Sequence, residues 1–459
     1  MTFTSPIFPL FLLAVLLGLR LLPPAKKWML LLPASWFFYA WHSPPLLGLL
    51  VLATGISYGC GRGMEQCQTK KARKRLLLLG SVMLLGMLFL FKYLDFAVGS
   101  VLSLTGHSFR GFGLVLPMGI SFYIFQTLSY LIDVYRGDIA AERNIAIYAL
   151  FVSFFPQLVA GPIERTGNLL PQLRSPKAPD ENMTVEGTRL LLVGYFKKVV
   201  IADMAAACVD TAYASPEAAG GLALLAATAL FGLQIYCDFS GYTDIARGCA
   251  LLMGIRLSEN FRRPYAAVTL REFWQRWHMS LTRWFTDYVY IPLGGSRKGL
   301  AVTLRNTMIV FLLSGLWHGA DVTFLIWGGL HGLFLCAERL IGNNPPKLSR
   351  LRHLLTLLLV GFAWIFFRAD SLADALLILK VMVCTPAPGQ FWSGLGLSAP
   401  SALLLVGVLP LLPMVERLPT LSADGKGNLK ALLLILVIFF CRLILLSAGH
   451  TGAFIYFQF

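Results

Sequence analysis

Residues 301–341 read AVTLRNTMIVFLLSGLWHGADVTFLIWGGLHGLFLCAERLI. Two apolar runs, 301–317 and 320–341, show helical rather than alternating periodicity, and each approaches the roughly 20 residues that a helix needs to cross a bilayer. Between them stands Ser314-Gly-Leu-Trp-His318-Gly-Ala320, an imidazole with glycine on both sides. Working outward, similar apolar windows fall near 7–22, 28–41, 46–60, 76–103, 114–134, 145–160, 189–213, 220–255, 353–368, 371–384, 401–415 and 429–447. Several are short, and Pro33, Pro117, Pro156, Pro162, Gly328 and Gly329 interrupt them. Re-entrant or half-spanning helices are therefore expected, tolerated only where neighbouring protein satisfies the freed backbone groups.

The composition agrees with this reading. Of 459 residues, 57% are hydrophobic and 13% aromatic, and only 14% are charged, against about 25% in soluble domains. Mean hydropathy is +0.69. A water-soluble fold of this chain would expose far more apolar surface than a monomer tolerates, which excludes an ordinary cytosolic or secreted globular protein. An all-α polytopic membrane protein is predicted, one membrane domain over residues 1–459 with room for roughly ten to twelve spans. The eight cysteines are scattered without a C-x-x-C, and the seven histidines match no compact metal motif, so neither a disulfide framework nor a bound metal is expected. Residues 1–9 carry no Lys or Arg ahead of the first apolar run, which reads as a retained span rather than a signal peptide. No Walker loop, G-x-G-x-x-G or G-x-S-x-G motif occurs.

Charge sets the orientation. The 39 Lys and Arg exceed the 23 Asp and Glu, a net of +16 that in a membrane protein is first a topology marker rather than a nucleic-acid footprint. Residues 62–75 read as a loop holding Arg62, Lys70, Lys71, Arg73, Lys74 and Arg75 against Glu65, and belong on the cytoplasmic side. Counting spans from there places the N-terminus outside. Lys426 and Lys430 precede the window 429–447, which sends the C-terminus outside as well. A second basic stretch, 256–305, holds nine Arg and Lys against Glu259, Glu272 and Asp287. Within it, residues 272–285 alternate aromatic and charged side chains at near-helical spacing and read as an amphipathic helix at the cytoplasmic interface. Periodicity alone leaves open whether that helix is a structural Trp belt or a binding face.

A histidine inside an apolar span is costly to bury and marks a candidate site. A helix entered from the basic stretch would carry His318 about 20–25 Å into the membrane. His331, in Trp327-Gly-Gly-Leu-His331-Gly332, is placed to pair with it across a helix break, and His278 lies in the aromatic segment. Converging imidazoles suit general-base work near neutral pH, and packing by hydrogen bonds between helices is the structural alternative.

Six ordered runs carry a resemblance: residues 117–137 (PMGISFYIFQTLSYLIDVYRG), 237–244 (CDFSGYTD), 272–281 (EFWQRWHMSL), 287–295 (DYVYIPLGG), Arg305-Asn306, and 315–320 (GLWHGA). Together they resemble the membrane-bound O-acyltransferase family, in its bacterial branch of alginate and peptidoglycan O-acetylation and teichoic-acid D-alanylation proteins. The resemblance implies a fold of roughly 11 transmembrane helices with re-entrant and interfacial helices around a central tunnel. It implies that His318 is the essential histidine and His278 the second functional one, with Asp287, Arg305 and Asn306 lining or bracing the site. Phe454-Ile-Tyr-Phe-Gln-Phe459 is similar to an aromatic C-terminal motif of that branch. It reads either as an interfacial anchor or as a handover point, with Tyr456 a transient acyl carrier or the segment docking an outer partner.

The enzyme reading needs no cofactor. Acetyl-CoA, the expected donor, would lay its adenine and phosphates on the basic stretch beside Trp274 and Trp277. His318 would act as base on a hydroxyl from the outer side. Expected partners are a periplasmic SGNH-like acetyltransferase or other acceptor protein, an envelope glycan and membrane lipid, in the bacterial inner membrane; no nucleic acid is expected. The alternatives are a transporter or flippase of a lipid-linked glycan, a non-catalytic scaffold, and D-alanyl transfer to a teichoic-acid-like acceptor. Transporters commonly show two halves with matching interrupted helices, and no internal repeat occurs here.

Overall fold

The computed structural model describes residues 1–41, 43–159, 161–342, 349–397 and 399–417. They form helices and connecting turns, with no strand among the described residues. Six of these helices are long and apolar enough to cross a membrane: Pro44–Gln66, Lys70–Leu104, Gly221–Leu252, Leu300–His318, Val322–Ile341 and Ser349–Arg368. Leu372–Cys384 and Pro388–Gly394, bent by 118°, make a seventh if they count as one broken span. The protein is thus an all-α, multi-pass membrane protein. Other apolar windows fold as shorter helices, such as Phe8–Leu21 and Ile145–Ser153. The window 429–447 lies outside the described residues.

The chain packs as two compact units. The first comprises Met1–Leu191 with Thr243–Ser258. Its basic stretch 62–75 proves to be two helix ends rather than a loop, since Pro44–Gln66 and Lys70–Leu88 leave only Cys67–Thr69 between them. Thr69 begins the second helix by accepting a hydrogen bond from the Ala72 amide at its Oγ1. Ile120–Arg136 starts after Gly119, whose φ of 72° and close approach to the Leu158 carbonyl both require glycine. Most of that helix is buried, so its apolar character serves the protein interior rather than a lipid face.

The second unit comprises Leu192–Tyr242 with the described residues from Glu259 onward. Lys198 is buried between Asp203 and Asp238, 2.8 Å from each, and Gly194 and Gly241 let the backbones carrying these side chains approach closely. The aromatic segment 272–285 is not one amphipathic helix. It breaks into Leu270–Arg276 and Met279–Phe285, because Trp277 turns extended and His278 adopts a left-handed φ of 41°. Leu300–His318 and Val322–Ile341 form a tight hairpin. Gly319 ends the first helix in extended backbone, and Asp321 starts the second by accepting a hydrogen bond from the Thr323 amide, 2.8 Å. Gly315 and Gly328 face each other across the hairpin, each against a main-chain carbonyl of the other helix.

Candidate functional site

His318 is the last residue of its helix, and 18 rises of 1.5 Å put it about 27 Å along the axis from Leu300. It is buried at 3% exposure. The break at Gly319 makes room for the Phe324 ring, which covers the place a β-carbon would take. Ring edges enclose the imidazole: Trp317 at 4.9 Å between centroids, Trp327 at 5.0 Å and Phe367 at 5.3 Å. These rings present apolar surface to the imidazole.

His278 comes within 6.5 Å of His318 between ring centroids, and both rings meet Trp317, His278 at 5.8 Å. Its left-handed backbone begins the helix Met279–Phe285. Phe239 stands edge-on at 4.6 Å, and the Nδ1 of His278 lies 3.2 Å from the Oδ1 of Asn260. Burial pushes the His278 imidazole down to about 3, so it is neutral across the physiological range. His331 belongs to the same aromatic group but does not meet His318 directly, because the Trp327 indole stands between them at 5.0 Å from each. The Trp274 indole N–H donates to His331 Nδ1 at 3.4 Å.

The other predicted residues divide into bracing and packing. Asn306 is fully buried; its Nδ2 donates to the carbonyls of Gly295 (3.1 Å) and Leu293 (3.4 Å), and its Oδ1 accepts from Arg305 Nη2 at 2.9 Å. Together Arg305 and Asn306 clasp the turn that follows Thr286–Tyr290. Asp287 is half-buried within that π-helical segment, which packs against the His318 helix. Trp274 and Trp277, expected beside a bound coenzyme, are both buried. Trp277 stacks on Phe273 at 5.4 Å, and Trp274 meets Trp327 edge-on at 5.8 Å. Tyr456 lies outside the described residues.

A cavity of about 700 Å³ opens beside this cluster. Arg271, Gln275, Tyr290, Ser296, Arg339 and the carboxylate of Glu338 are among its polar lining, while Phe311 and Ser314 come from the His318 helix, Ser314 four residues, or about one helical turn, before the imidazole. Trp274 contributes to the same wall. Arg271 belongs to the basic stretch expected to meet the coenzyme, whereas sequence reasoning missed Asn260, the Trp317, Trp327 and Phe367 shell, and the cavity's Arg339. The Ser314-to-Gly319 run signalled the shell, whereas Asn260 sits in a connecting segment without periodicity. Among the described residues no group of three or more His, Cys, Asp or Glu side chains is placed to hold a metal ion. Chemically, the site offers a buried imidazole in a dry aromatic enclosure, a second neutral imidazole near it, and an adjoining cavity with guanidinium groups in its lining.

Comparison with known proteins gives a consistent result. Residues 140–375 match the model of the membrane-bound O-acyltransferase family. The chain is 42% identical over 381 residues to a Pseudomonas syringae pv. tomato protein named "Probable alginate O-acetylase AlgI", covering 81% of this chain and 73% of that one. It is 36% identical over 389 residues to the peptidoglycan O-acetyltransferase of Helicobacter pylori, covering 78% and 73%. Similarity to the teichoic acid D-alanyltransferase of Streptococcus thermophilus is 28% over 237 residues, 48% of this chain and 55% of that one.

Proposed function

The chain belongs to the membrane-bound O-acyltransferase family and is an acyltransferase, and from that premise we propose that it passes an acetyl group from cytosolic acetyl-CoA across the inner membrane for O-acetylation of an envelope polysaccharide of the alginate or peptidoglycan type. The supporting observation is the cavity that joins Arg271 and Arg339 to Ser314, one turn from the buried His318. The guanidinium groups suit the phosphates of a coenzyme. Trp277 is buried in the aromatic shell, and the docking feature this reading uses is the pair Arg271 and Arg339, with the Trp274 indole and Glu338 in the same lining.

In this mechanism His318 accepts the proton of the incoming hydroxyl as that oxygen attacks the thioester carbonyl. The tetrahedral intermediate collapses by breaking the carbon–sulfur bond. The departing thiolate takes the proton from the imidazolium, which restores neutral His318 and releases free coenzyme A. The aromatic enclosure keeps water from intercepting the thioester. The basic segments at 62–75 and 256–305 face the cytoplasm in this scheme, with both termini periplasmic. The acceptor hydroxyl belongs to Tyr456, to a periplasmic partner transferase or to the glycan. The O-acetylating relatives match over most of the chain and the D-alanylating one over about half, which favours acetyl as the group moved.

Radiolabelled acetyl-CoA with the purified protein in bilayers tests this. Wild type is expected to release coenzyme A and His318→Ala to fall at least about 10²-fold. Equal consumption by the two proteins overturns the role of His318, and no consumption by either overturns the donor. Loss of protein-bound label in Tyr456→Phe identifies the carrier, and retention at full level rejects it.

A further inference from the structure

Asn260 is fully buried, and its Oδ1 gathers three neighbours: the backbone N–H of Ser280 at 3.1 Å, the Ser280 hydroxyl at 2.9 Å and Nδ1 of His278 at 3.2 Å. A backbone N–H can only donate, so the atom that receives it is the amide oxygen. That oxygen has no proton to give, so Nδ1 of His278 must carry one. A neutral imidazole has a single N–H, and its other nitrogen, Nε2, is then the lone-pair atom. The main chain reinforces the arrangement: the carbonyl of Asn260 accepts the Met279 amide at 2.9 Å, and Arg262 N–H donates to the Arg276 carbonyl at 2.9 Å. Segment 260–262 therefore clasps both sides of the left-handed break at His278. His331 contrasts with this, since the indole of Trp274 can only donate, which makes Nδ1 of His331 the acceptor and places its proton on Nε2.

We propose that Asn260 is a positioning residue that holds His278 in its Nδ1–H tautomer, so that His278 meets the reacting groups as a hydrogen-bond acceptor at Nε2. The inference rests on the acyl-transfer reading and sharpens it. An acceptor beside His318 aligns the incoming hydroxyl, whose proton it can receive in a hydrogen bond. It cannot donate to the thioester oxygen, so any donor to the developing oxyanion is another group.

Nitrogen NMR of the full chain in bilayers, labelled with 15N-histidine and assigned by difference with His278→Gln, reads the tautomer without reference to activity. The expected spectrum has the His278 proton on Nδ1. A wild-type proton on Nε2, or a charged ring at neutral pH, overturns the proposal. Asn260→Asp keeps an acceptor oxygen and is expected to keep both the tautomer and turnover within about tenfold, whereas Asn260→Leu is expected to lose the Nδ1–H signature and about 10²-fold in kcat with little change in KM. An Asn260→Leu protein that folds with His278 unchanged also overturns it, and the wild-type spectrum decides if that variant does not fold. Failure of the acyl-transfer reading shows separately, as wild-type protein that consumes no thioester.

Discussion

The hairpin that presents His318 depends on glycine at one contact, and the consequence of filling it can be worked out. A methyl placed on Gly315 would fall about 1 Å inside ordinary contact with the Phe324 carbonyl oxygen. That oxygen belongs to the backbone of the next helix, so no side-chain rotation relieves the overlap. The helices must part by a similar distance, moving His318, three residues on, relative to Trp327 and the cavity wall. Misplacement of about 1 Å can cost about 10²-fold in rate, equivalent to about 2.7 kcal/mol of barrier. Overpacking is expected to lower stability by about 1–3 kcal/mol as well. Two other glycines calibrate the effect. In Gly332→Ala the new methyl meets the Met308 sulfur at 2.8 Å, the end of a flexible side chain, and in Gly361→Ala it meets nothing within 4 Å. Thioester consumption per folded molecule is therefore expected to fall in the order Gly361→Ala, Gly332→Ala, Gly315→Ala, with the first near wild type. A Gly315→Ala protein with wild-type kcat would refute the reasoning, because it would mean that the hairpin spacing does not set the position of His318.

Replacing Asn306 with Ala frees the Gly295 and Leu293 carbonyls from their clasp, and since Tyr290 and Ser296 line the cavity, KM for the thioester is expected to rise more than kcat falls, with a stability loss of about 1–3 kcal/mol in a thermal melt. Lys198→Met leaves Asp203 and Asp238 buried against each other without their cation and is expected to cost about 3–5 kcal/mol, much of it recovered when both aspartates become asparagine; a melt unchanged by the single substitution would contradict the buried triad. Histidine in the unfolded chain titrates near 6.5 whereas folded His278 is held at about 3, so between these values the unfolded chain binds the extra proton. Its contribution to stability is present above about 6.5 and lost as pH falls toward 3, and His278→Gln is expected to flatten the decline in melting temperature between pH 7 and 5.

Much of the fold was legible because hydropathy and periodicity are local properties. The hairpin of residues 301–341 and its turn at His318 appear nearly where the apolar runs end, since a bilayer helix must satisfy its own backbone within one segment. Hydropathy does not separate burial by protein from burial by lipid: most of Ile120–Arg136 is buried inside the protein. The same ambiguity applies to Trp274 and Trp277, of which Trp274 both packs in the aromatic shell and lines the cavity. Aromatic residues alternating with charges describe an interfacial belt and an interior wall equally well, and only tertiary packing distinguishes them.

The break at His278 was illegible for a different reason. Nothing in Gln275-Arg-Trp-His-Met-Ser280 opposes a continuous helix, yet His278 sits at φ 41°, and Arg263 across the same short segment sits at φ 48°. Non-glycine residues in that region cost about 1–3 kcal/mol each and persist only where surrounding contacts over-determine them. For His278 those contacts come from segment 260–262: the side-chain oxygen and backbone carbonyl of Asn260 receive the chain at and after the break, and the Arg262 N–H donates to the Arg276 carbonyl before it. At about 1 kcal/mol per hydrogen bond they are of the size needed to offset the strain. Strained backbone, a fixed tautomer and the neighbourhood of His318 thus have one structural cause, and it lies in the pairing of two segments that no local pattern connects. Local propensity fails at His278 because the position is shaped by the requirements of the site rather than by those of the helix.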